Sequence, residues 1–107
     1  MIDPGELNTR LVLEAPVETP DGAGGLVRSY TAVTTLWAAV RPAGAEGDIV
    51  AAASGATVTH RILIRARSEL TMRHRLRDGL RIFRIVALRD HDGTRRFTEI
   101  AAEERVD

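Results

Sequence analysis

The run ATVTHRILIRAR, residues 56–67, limits the fold more than any other part of the chain. Its side chains fall into two sets. Val58, His60, Ile62, Ile64 and Ala66 form one, and Thr59, Arg61, Leu63, Arg65 and Arg67 the other. In an extended strand successive side chains point to opposite faces. The first set is then an apolar face broken only by His60, and the second a basic face broken only by Leu63. A slip of one residue would bury three guanidinium groups, which is prohibitive without partners. The segment predicts a half-buried strand in a fixed register, and its arginines need no catalytic explanation.

The same reading extends along the chain. TRLVLEAPVE (9–18) alternates with Leu11 and Leu13 on one face and Arg10, Val12 and Glu14 on the other; Pro16 sits at the strand's end. TPDGAGG (19–25) has turn chemistry. Residues 26–40, rich in β-branched and aromatic side chains, predict one long or broken strand that stops before Pro42. Residues 43–55 change character: alanines favour helix while Gly44, Gly47 and Gly55 oppose it, which predicts a helical turn or two inside a flexible loop. Two further strands flank Asp78 and Gly79, a two-residue hairpin signal, and a last one follows HDGT. Trp37, Tyr30 and Phe97 are expected in the core. Many short strands with regular turns and a single short helix predict one mainly β domain over 1–107, a small antiparallel barrel or sandwich.

Charge is unevenly placed in a chain whose net charge is zero. Residues 1–55 carry three arginines against seven acidic residues, 56–89 nine against two, and 90–107 three against six. The chain thus has a basic middle between acidic ends, which suits contacts between protein faces. Arg61, Arg65 and Arg67 share one strand face, Arg73, Arg75 and Arg77 are two apart in the next segment, and six guanidinium groups lining one side of a hairpin need acidic cover. All fifteen basic residues are arginine. A GC-rich coding sequence favours arginine over lysine, so the missing lysine is not by itself a site.

No catalytic constellation stands out. His60 reads as a strand residue near a rim, and Asp90, His91 and Asp92 read as a turn rather than a metal site. HExxH, GxSxG and a phosphate-binding glycine loop are absent. There is no cysteine, hence no disulfide framework. No apolar run approaches a membrane span, and the first residues do not resemble a signal peptide, so a cytoplasmic protein without membrane contact is expected. A basic hairpin could hold single-stranded nucleic acid, the alternative function. Binders of that kind interleave stacking aromatics, and only Phe83 lies within the basic segment.

Several features in fixed order bear a family resemblance: Gly5, Leu7 and Arg10 before the first strand; D-G-x-G-G over 21–25; Trp37 and Ala38 ahead of Val40 and Pro42; THRIxIRxR over 59–67; and Gly79, Phe83 and Ile85 before the final strand. Together they resemble the phage head–tail joining proteins, the head-closure or stopper proteins of long-tailed phages, prophages and gene transfer agents. The resemblance spans nearly the whole chain and departs from the family at the alanine-rich 49–53. It implies a β-barrel assembled as a ring, six- or twelve-fold, below the portal and its adaptor and above the tail terminator. Double-stranded DNA would pass through without sequence-specific contact. No catalysis, cofactor or small-molecule substrate is implied. The protein would be made in the bacterial cytoplasm and end in the neck of a phage-like particle. Within that frame the six arginines are expected at contacts between subunits or with the adjoining ring, paired with acids from 1–55 or 90–107. The loop bearing Glu46, Asp48, Ile49 and Val50 is expected at the lumen or against a neighbour.

Overall fold

A computed structural model describes residues 4–43, 57–67, 69–91, 93 and 95–106. A 3₁₀ turn at Pro4–Glu6 leads into six strands: β1 (Thr9–Pro20), β2 (Leu26–Pro42), β3 (His60–Arg65), β4 (Arg75–Asp78), β5 (Arg81–Asp90) and β6 (Phe97–Val106). They close into an antiparallel barrel in the order β1-β2-β3-β6-β5-β4. The expected short helix and Glu46, Asp48, Ile49 and Val50 lie outside the described residues.

Two-residue alternation decides what lines the barrel. Leu11, Leu13, Ile62, Ile64, Leu76, Phe83 and Ile100 are fully buried and fill its interior. Burying each such side chain stabilises the fold by roughly 1.5–3 kcal/mol. His60 belongs to the inward set of β3 and meets the edge of the Phe83 ring at 5.3 Å. Ala66 does not belong to it: β3 ends at Arg65, and Ala66 is exposed. Leu63, the apolar exception on the basic face, packs outside the wall with Leu7, Ala39 and Phe97 in a second small cluster.

The hairpin turn falls one residue later than expected. Asp78 pairs with Arg81, so the two turn residues are Gly79 and Leu80. Gly79 has φ of 61°. Positive φ at the first turn position is the feature of a type II′ hairpin and favours glycine there.

β1 does not end at Pro16 but runs to Pro20. It pairs with β4 only over Val12–Glu14, while β2 pairs with β3 only over Ala38–Pro42. Among the described residues, 15–20 and 26–31 therefore pair with each other and with no third strand. They form a two-stranded arm about 20 Å long at 3.4 Å per residue. Prolines are tolerated in it because a strand with one neighbour needs donors on one side only. At the tip, Asp21 Oδ1 accepts from the Ala23 and Gly25 amides at 2.8 and 3.0 Å. At the root, Leu13 faces Thr34 and Glu14 faces Ala32, so Val33 is an extra residue in β2. Such a bulge bends its strand.

Candidate functional site

The outer wall, not the interior, holds the polar chemistry. Register places Arg75 and Arg77 on the opposite face from buried Leu76, and Glu14 beside Arg75 on that outer face. Glu14 is nevertheless buried, at 5% exposure. Two guanidinium groups cover it: Arg75 Nε donates to Oε1 at 2.6 Å, and Arg77 Nη1 to Oε2 at 3.4 Å. Arg75 also lies over the Tyr30 ring at 3.8 Å, which ties the arm's root to β4.

This pattern recurs twice more along the same side. Glu18, on the arm, accepts from Arg28 at 2.8 Å and from Arg73 at 2.9 Å. Its carboxyl lies below the usual range, first through the Arg28 hydrogen bond. Glu103 on β6 meets Arg105 at 2.9 Å and Arg84 at 3.5 Å. Three carboxylates thus each sit between two arginines. Between the arm and the β4–β5 wall, five of these arginines, Arg28, Arg73, Arg75, Arg84 and Arg105, border a cleft of about 480 Å³.

A separate cluster lies on the β3–β6 side. Glu99 accepts from Arg61 at 2.6 Å and from Arg89 at 2.9 and 3.0 Å, with His91 Nδ1 at 3.5 Å. Burial pushes its carboxyl up, but Arg89 and Arg61 outweigh that and hold it below the ordinary value. A smaller cleft of about 220 Å³, bordered by Arg41, Arg61, His91 and Glu99, opens there. Among the described residues no group of three His, Cys, Asp or Glu is arranged to hold a metal ion.

The six arginines singled out by spacing therefore do not share one hairpin. β3 and β4 are separated by two strands whichever way the barrel is followed. Arg73, Arg75 and Arg77 gather by the large cleft. Arg61 belongs to the Glu99 cluster, Arg65 lies over Phe97 at 5.8 Å, and Arg67 bonds Glu69 at 2.6 Å. Glu14, Glu18 and Glu99 come from the two acidic ends of the sequence, and here they pair with the basic middle within one chain.

Sequence reasoning missed Arg28, Arg84, Arg105 and their carboxylates. One of these pairs was within reach: counting outward from the turn at 21–25 sets Glu18 opposite Arg28, as observed. The aromatic expectation holds for Phe97, which is buried, and needs correction for Trp37 and Tyr30. Trp37 is 55% exposed on the outer wall, with Arg10 at 5.6 Å from its ring. Tyr30 is half-buried under Arg75, and Phe97 belongs to the small outer cluster.

A closed barrel whose interior is filled by side chains and whose charges pair on the outside suits a structural or interaction module. Its sequence matches the model of the phage head completion proteins over residues 2–105. The chain belongs to that family, whose members are structural proteins of phage particles rather than enzymes. It is similar to a chain in the virion of a native gene transfer agent particle, with 31% identity and a TM-score of 0.67, covering 94% of this chain and 97% of that one. It is also similar to protein SF1141 from Shigella flexneri 2a, solved in solution, with 27% identity, a TM-score of 0.74 and 96% of each chain covered. No curated protein matched significantly.

Proposed function

We propose that this chain closes the filled head of a phage-like particle, assembling as a ring of six or twelve copies between the portal with its adaptor and the tail terminator. The family match over nearly the whole chain carries this reading, and the likeness to a gene transfer agent virion chain supports it. The packed barrel adds a physical argument. Side chains fill its interior, so nothing threads a single copy. A conduit for double-stranded DNA then has to lie between copies, which favours a closed ring. The protein is made in the bacterial cytoplasm and ends in the particle's neck.

In this ring Arg61, Arg65, Arg67, Arg73, Arg75 and Arg77 serve contacts with neighbouring copies or the adjoining ring. Each phosphate contact adds a salt-dependent grip, and about six to ten already bind DNA strongly. Six inward arginines per copy would arrest a sliding genome. Electron microscopy of particles from a strain lacking this chain tests the proposal. DNA-filled heads without tails are expected, and normally tailed particles would refute it.

A further inference from the structure

The cleft between the arm and the β4–β5 wall has an uneven charge balance. Glu14, Glu18 and Glu103 are each shared by two arginines, so six guanidinium groups meet three carboxylates. Three positive charges remain uncompensated within these clusters. The surplus is accessible: the side chains of Arg28, Arg73, Arg84 and Arg105 are between 50% and 66% exposed. Arginine presents its donors as a planar fork that suits a carboxylate on either edge. Arg73, Arg84 and Arg105 each meet one carboxylate, and Arg28 meets Glu18 and Tyr30, so with five donors per guanidinium group each retains donors for a ligand. Ile82 and Ile85 give the cleft an apolar floor.

We propose that this cleft is a docking site for an acidic polypeptide segment of a partner protein, whose carboxylates complete the half-neutralised arginine pairs. Three observations favour polypeptide over nucleic acid. A cleft of about 480 Å³ has the size of a small-molecule or peptide site and does not admit a duplex. Of the two rings that line it, Tyr30 has Arg75 at 3.8 Å over one face, and the His74 ring is held by Thr71 at 2.9 Å, so neither is set out as an open stacking platform. The arginines that line it already hold carboxylates beside the cleft, those of Glu14, Glu18 and Glu103, so their guanidinium groups are placed to suit that group. The proposal stands on the cleft alone and does not require the head-closure role.

The test is a side-chain NMR titration of the ¹⁵N-labelled full chain at low salt, using an oligoglutamate peptide and an oligothymidylate of equal length as probes. The peptide is expected to move the Nε–Hε signals of Arg28, Arg73, Arg84 and Arg105 together. The double variant Arg84→Gln/Arg105→Gln should bind it about a hundredfold more weakly, since each of the two lost charge-assisted bonds accounts for about a factor of ten. Glu18→Gln, which frees two forks without adding bulk, should bind it more tightly. Backbone spectra establish that each variant is folded. Silence of these four side chains at saturating peptide overturns the proposal. So does tighter binding of oligothymidylate at the same residues, which would make the cleft a phosphate site.

Discussion

Glu14→Gln tests whether the outer wall is held together from beneath. The substitution keeps the shape and removes the charge. Two contacts change. The Arg75 bond, 2.6 Å long, joins a carboxylate with 6% side-chain exposure to a guanidinium with 22%. A charge-assisted bond in such surroundings contributes about 1.5–3 kcal/mol. The Arg77 contact is longer, at 3.4 Å, and its partner is 46% exposed. A wet pair of that kind contributes about 0–1 kcal/mol. Glutamine's carbonyl restores a neutral bond of about 1 kcal/mol. The expected net loss is about 0.5–3 kcal/mol, a fall in melting temperature of roughly 2–12 °C for a domain of this size. Urea titration followed by circular dichroism measures it. The loss should persist in high salt, because a buried pair is screened less than an exposed one. Glu18→Gln, whose pairs lie on the exposed arm, is the control and should shift the midpoint much less than Glu14→Gln does. Equal effects of the two substitutions, or none at Glu14, would refute the argument that burial sets the strength of these pairs.

Phe83→Ala should destabilise the protein by about 3–5 kcal/mol, because the ring is fully buried and central; a urea midpoint within error of the parent would contradict the barrel packing. Gly79→Ala should cost about 1–2 kcal/mol from the positive φ alone, since nothing lies within 4 Å of an added Cβ; a neutral result in the same assay would mean that the turn adopts another form. Acidification should destabilise. Glu18, Asp21, Glu99 and Glu104 all have carboxyls below their ordinary values, so their stabilisation is present above about pH 4.5 and lost as pH falls through the lowered values. Urea midpoints that rise from pH 6 to pH 3 would reverse that sign. Trp37→Ser should change stability by less than about 1 kcal/mol, given the ring's exposure, while reducing particle assembly if the wall it occupies meets a neighbour; a large loss of stability would mean that the ring is core after all.

Local alternation was enough to find the strands and their inward sides. Leu11 and Leu13, or Ile62 and Ile64, sort onto one face because a strand repeats every two residues, and burial of the other set would bury arginines. The order of features from Gly5 to the final strand was also enough to point to the head–tail joining family. The partners of each strand were not legible. Placing β3 and β4 on one hairpin followed their closeness in sequence, whereas closure pairs β3 with β6 and β4 with β1 across long separations. Glu14 was correctly assigned to the outer face, yet its burial depends on Arg75 and Arg77 arriving from β4 and on the bulge at Val33, neither of which neighbouring residues encode. Trp37 was assigned inward on residue type, and its position on β2 turned it outward beside Arg10.

The sequence alone determined that this chain is a set of amphipathic strands, in a barrel or a sandwich, with its arginines outside, because two-residue alternation is a property of the backbone and needs no partner. Only the tertiary structure decided which arginines share which carboxylate, because those pairs join strands that meet when the sheet closes on itself. The cleft and its surplus charge exist at that level, between an arm bent at its root and a wall some sixty residues further along the chain.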